Sequence, residues 1–205
     1  MNGWAGRVME VLHLVTQVVV LNLLVVLGTL AGGVVLGAAP AASSAGALLA
    51  DLAAGHPPDR LWTPFWRGWR AGLRRANVLA APFWGAGLFL LLDALVLAAA
   101  PGTAPRPLTL ALVAVGLYLT VALAFLCPVA RRSDVAPARA WRFLLTVPLI
   151  APAGALGALG TVAVCAVLYL ELPVLVPLVG VTLPLLNTGW FADRALDRLD
   201  ARTGA

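Results

Sequence analysis

Asp93 is the residue in this chain with the most chemistry to offer, because it stands alone in the apolar run Gly87-Leu-Phe-Leu-Leu-Leu-Asp93-Ala-Leu-Val-Leu. An ionisable group inside such a run is costly in lipid and normally faces a bundle interior or water. There a carboxylate serves as an ion, proton or substrate contact. The alternative is a structural carboxylate near the membrane edge, paired with Arg7, His13 or Arg106. Asn22 lies midway along another apolar stretch, with Thr16 and Gln17 before it, and Asn187 lies in a third. Amides in such positions more often join helices by hydrogen bonds than bind a ligand.

The remaining reactive side chains form no recognisable set. Cys127 and Cys165 have neither metal-ligand spacing nor a disulfide pattern, and His13 and His56 lie far from both. The apolar stretches hold one carboxylate, no His pair and no Ser-His-Asp arrangement, so the chain is not expected to be an enzyme. No metal and no cofactor are expected. The phosphate-binding loop of an ATPase is absent, as is the Glu-Ala-Ala coupling motif of a transporter permease.

The elements that must position Asp93 and the amides are membrane helices. Of the 205 residues, 61% are hydrophobic and 11% charged, against about 45–50% and 25% in soluble domains. A chain of this length cannot hide so much apolar surface in a soluble globule. The expected class is all-α: a single polytopic membrane domain of about five transmembrane helices with one or two amphipathic helices on the cytoplasmic face. The expected spans are residues 11–37, 78–100, 107–130, 143–170 and 172–190. The first is too long for a signal-peptide core and is expected to be retained.

Every basic residue is an arginine. Arg60, Arg67, Arg70, Arg74, Arg75, Arg131, Arg132, Arg139, Arg142, Arg194, Arg198 and Arg202 share one side of a five-span chain, leaving Arg7 and Arg106 on the other. The positive-inside rule then puts the N-terminus outside and the C-terminus in the cytoplasm of a bacterial cell. A further crossing hidden in residues 40–54 is expected to break this split. That segment is short for a span and is expected to be interfacial or partly inserted. The arginines occupy short loops between spans and do not suggest nucleic-acid binding.

The stretch over residues 60–77 combines both patterns. Thr63-Pro64 is a helix-start signal. On a helical projection Trp62, Phe65, Trp66, Trp69, Leu73 and Ala76 fall on one side, and Arg67, Arg70, Arg74 and Arg75 on the other. This predicts a helix lying in the headgroup plane against an anionic inner leaflet. Gly28-xxx-Gly32 and Gly33-xxx-Gly37 predict close backbone approach at the end of the first span. Pro148, Pro152, Pro173, Pro177 and Pro184 interrupt the later spans. Such breaks either expose carbonyls to a solute or serve kinked packing.

Several of these features recur together in one family. Leu21-Asn22-Leu23-Leu24, Gly37-Ala-Ala-Pro40-Ala-Ala-Ser-Ser-Ala45, Phe65-Trp66-Arg67-Gly68-Trp69-Arg70, Asn77, Asp93 and Cys127-Pro128-Val129-Ala130-Arg131 make the chain resemble the YesL-like small bacterial membrane proteins, a domain of unknown function. Leu36-Gly37-Ala38-Ala39-Pro40 departs from the Thr-x-Gly-Pro turn common in that family. The resemblance implies an accessory or regulatory role beside carbohydrate uptake, with sugar ABC-transporter subunits or further copies of the chain as partners. A small oligomeric transporter or channel using Asp93, Asn22 and Asn187 is the alternative.

Overall fold

The computed structural model of the chain describes residues 4–56, 58, 60–99, 106–132, 136–175 and 179–203. Among these, all regular structure is helical. In order the helices are α1 (Trp4–Ala31), α2 (Val35–Ala53), α3 (Trp62–Ala99), α4 (Arg106–Ala124), α5 (Leu126–Arg132), α6 (Pro137–Ile150), α7 (Pro152–Glu171) and α8 (Thr182–Thr203). Five helical stretches are long and apolar enough to cross a membrane: Val11–Ala31, Val35–Ala53, Trp62–Ala99, Arg106–Ala130 and Pro152–Glu171.

Besides the expected span 143–170, which breaks at Ala151 into α6 and α7 with only Pro152–Glu171 long enough to cross, these five differ from the expected five in three places. The first apolar run does not continue to residue 37, because the chain reverses at Gly32-Gly33-Val34. Gly33 and Val34 both have positive φ, 66° and 69°. Val35 N–H donates to Gly33 O at 2.9 Å across Val34, a tight γ-turn of the rare, strained hand. α1 and α2 therefore form a hairpin, and the short segment 40–54 belongs to a 19-residue helix.

The second difference joins two elements that the sequence separates. The Trp/Arg stretch and the apolar run behind it are one helix of 38 residues. At 1.5 Å per residue α3 is about 57 Å long, against a hydrocarbon core of ~30 Å. One end must reach headgroups and water, and the exposed Arg67, Arg70 and Arg74 mark which end that is. The third difference lies in residues 172–190. Leu172, Pro173 and Val174 are outside any helix, and α8 begins only at Thr182. Residues 176–178, including Pro177, lie outside the described residues, as does 133–135 of the third loop.

Neighbouring contacts fix the directions. Gly28 faces Ala41 and Gly32 faces Gly37, so α1 and α2 are antiparallel. Ser44 meets Phe65 and Leu36 meets Asn77, so α2 and α3 are antiparallel too. α1 and α3 consequently run the same way. Two apolar cores result. One joins α1 and α2 to the start of α3 through Leu21, Leu24, Ala45, Leu49 and Phe65. The other joins α3 through α6, around Leu79, Phe83, Phe125, Leu144 and Val147.

Candidate functional site

The polar side chains inside the apolar helices are occupied mainly with backbone. A proline within a helix leaves the carbonyl four residues earlier without its N–H donor, and in lipid no water replaces it. Pro40 frees the carbonyl of Leu36, and Asn77 Nδ2 donates to it at 2.8 Å, as it does to Leu73 O in its own helix. Pro82 frees the carbonyl of Val78, and Trp141 Nε1 of α6 donates to it at 3.2 Å. Two prolines are thus matched by two donors from elsewhere in the fold. In the turn before α8 the Tyr169 hydroxyl donates to Gly180 O at 3.0 Å. Leu144 O, freed by Pro148, receives no side-chain donor among the described residues.

Asn22 performs the converse task. It is fully buried, and its Oδ1 accepts from Val181 N–H at 2.9 Å and Thr182 N–H at 3.3 Å. The first N–H groups of any helix lack intrahelical acceptors. Normally a residue at the helix start supplies one. Here α1 caps α8 across 159 residues of sequence.

The three residues proposed for an intramembrane polar site end up in different settings. Asn22 is buried against the start of α8, Asn187 is exposed on that helix, and Asp93 is half-exposed on α3. Among the described residues Asp93 makes no ion pair, and no hydrogen bond joins it to Asn22 or Asn187. His13 is exposed, and Arg106 begins α4; the Arg7 side chain lies outside the description. Both cysteines are buried and in no disulfide, and the described residues contain no cluster of three metal-binding side chains.

The aromatic side of α3 turns inward more than expected. Trp62 is 59% exposed, but Phe65 is fully buried, and Trp66 and Trp69 lie against the core formed with α1 and α2. Trp62, Phe65, Trp66 and Trp69 form a ladder of edge-to-face contacts, with ring centroids 5.4–5.8 Å apart. The apolar stripe that reads as membrane-facing is satisfied instead by α2, a helix the sequence makes look too short to matter. Arg67, Arg70 and Arg74 remain exposed and Arg75 is half-buried.

Sequence reasoning found Asn22 and its tendency to join helices, but Trp141, Tyr169 and Asn77 were not assigned as donors. For Asn77 and Trp141 the signal was available: a proline inside a helix announces a free carbonyl at the position four before it. Which donor reaches that carbonyl depends on tertiary packing.

Residues 18–94 match a family described as a protein of unknown function, DUF624. The matched stretch contains Asn22, the α1–α2 hairpin, the Trp/Arg part of α3, Asn77 and Asp93. No curated protein and no solved structure matches the chain.

Proposed function

We propose that the protein is a non-catalytic accessory or regulatory membrane component, of the YesL-like kind, working beside a bacterial carbohydrate-uptake system. The observation that supports this most is how the interior polar groups are spent. Asn22, Asn77, Trp141 and Tyr169 complete backbone hydrogen bonds, and Asp93 and Asn187 stand apart from them. That arrangement supports a rigid helical body, in which the polar side chains of the described residues are spent on packing rather than gathered into a path. The link to carbohydrate uptake rests on the family resemblance alone. The partners are the lipid bilayer, with its anionic inner leaflet, and either sugar ABC-transporter subunits or further copies of this chain; nucleic acid is not among them.

The test is purification of the tagged full-length chain from its own membranes in mild detergent. Transporter subunits should accompany it in stoichiometric amount, and the chain recovered alone would sink the proposal. The transporter alternative makes a different prediction. Asp93→Asn should then abolish solute flux in proteoliposomes while the protein still folds. On the accessory reading that substitution leaves partner recovery unchanged.

The orientation is also a proposal. The Arg-bearing side is cytoplasmic by the positive-inside rule. Because α1 runs parallel to α3, the N-terminus starts from that same side, contrary to the expectation of an external N-terminus. The crossing by α2 does not spoil the charge split among the arginines ahead of α8. It moves Arg7 across and leaves Arg106 as the single external one of these, ten against one. A cysteine placed at Trp4, which is 78% exposed, should resist a membrane-impermeant maleimide in intact spheroplasts and react after permeabilisation. Arg106→Cys should react in both. Labelling of the Trp4→Cys variant in intact spheroplasts would restore the external N-terminus. The buried native thiols keep the background low.

A further inference from the structure

Between α2, α3 and α5 lies a cavity of about 220 Å³, bordered by Ser43, Ser44, Pro64, Gly68, Gly72 and Arg75. Its walls are otherwise alanine and leucine side chains. Ser44 is engaged, donating its hydroxyl to Phe65 O at 2.8 Å. Ser43 is not: its Oγ is shielded from solvent and has no hydrogen-bond partner among the described residues. A buried hydroxyl left unsatisfied is unfavourable, so a native structure normally supplies something for it. Arg75, half-buried, borders the same space.

A hydroxyl donor and an arginine bordering one small cavity are the chemistry of oxyanion recognition. Size narrows the class. The volume is that of about seven waters at ~30 Å³ each, below the ~300 Å³ at which drug-sized ligand pockets begin. A phosphate group with a few attached atoms fits, and a disaccharide does not. Glycine keeps the space open: a Cβ at Gly72 would meet nothing within 4 Å, whereas one at Gly68 would meet Ser44 Oγ at 2.7 Å. The cavity wall ends at Ala130, directly before Arg131-Arg132 in sequence. The basic side of a membrane protein faces the anionic leaflet.

We propose that this cavity binds a phosphate oxyanion, the Ser43 hydroxyl donating to it and the Arg75 guanidinium neutralising it, with an anionic phospholipid headgroup or free phosphate as its source. The site is independent of any link to sugar uptake, so failure of the co-purification experiment leaves it standing. The test is thermal unfolding of the purified full-length chain in neutral detergent, with phosphatidylglycerol, phosphatidylcholine or inorganic phosphate added. Phosphatidylglycerol should raise the midpoint by about 5 °C, and phosphatidylcholine should not. Ser43→Ala, which removes only the hydroxyl, and Gly72→Leu, which fills the cavity, should each cut that rise by more than half. Gly85→Leu, at another position open for 4 Å around, should keep it.

A matching rise with inorganic phosphate, sensitive to the same two variants, assigns the site to free phosphate. A response to phosphatidylglycerol alone assigns it to lipid. Lipid phosphorus retained per protein after detergent washing provides a second readout and should fall in Arg75→Gln. No rise with either ligand, or a rise that either cavity variant keeps in full, overturns the proposal.

Discussion

Replacing Gly37 with alanine is expected to cost about 2–4 kcal/mol of stability, measured as the drop in unfolding midpoint of the detergent-solubilised chain. In an ordinary helix the same change gains up to about 1 kcal/mol, since alanine is the better helix former. Here a Cβ at Gly37 would sit 2.4 Å from Thr29 O and 2.5 Å from Gly28 O. Both are backbone atoms, which cannot swing aside as a side chain can, so the hairpin between α1 and α2 would have to open. Gly32→Ala should behave alike, because its Cβ would fall 2.2 Å from Gly37 Cα. Gly85→Ala, in open space, should be neutral or slightly stabilising. A Gly37→Ala protein as stable as the Gly85→Ala protein would mean that the hairpin is not as tight as described. Val34 offers the opposite sign. It is β-branched and held at φ 69°, a conformation bulky residues rarely adopt. Val34→Gly relieves that strain and should stabilise by about 1 kcal/mol.

The hairpin also shows where the sequence is legible and where it is not. Glycine at Gly28, Gly32, Gly33 and Gly37 signals close backbone approach, and that approach occurs at Gly32 and Gly37, whereas Gly28 meets side chains and Gly33 stands in open space. The spacing does not say whether the neighbouring backbone belongs to another helix or to the same chain turning back. Gly32 and Gly37 meet each other, so the expected long first span becomes two helices. The Trp/Arg stretch shows a related ambiguity. An apolar stripe opposite arginines has one appearance whether it faces headgroups or a neighbouring helix, and only the presence of α2 decides. α2 itself was hard to weigh, because alanine, glycine and serine make a weakly apolar sequence whose value lies in letting helices come close. At Gly68 there is room for Ser44 and for nothing more. The composition, in contrast, announced the helical membrane class without ambiguity, since no other arrangement accommodates so many long apolar runs.

Asn22→Leu should be the most damaging polar substitution, lowering stability by about 2–3 kcal/mol. The change preserves approximate volume and suits lipid better than an amide does. It nevertheless removes the acceptor that serves Val181 N–H and Thr182 N–H. Each buried donor left without an acceptor costs about 1–3 kcal/mol, and the loss of a helix cap alone costs about 0.5–2 kcal/mol. The segment before α8 contains Pro173 and Pro177, and α8 begins two residues before Pro184, so the local chain has few alternatives for closing its own hydrogen bonds. α8 should therefore loosen from α1. Amide hydrogen exchange at residues 181–186 should accelerate well before the rest of the protein responds. Asn187→Leu, on the exposed side of α8, should change stability by no more than about 0.5 kcal/mol. The pair also separates the two functional readings. If Asn22 lines a conduction path, Asn22→Leu alters solute flux in a protein whose unfolding midpoint is unchanged. If Asn22 is the cap of α8, the midpoint falls and exchange rises at the start of that helix, whatever the solute.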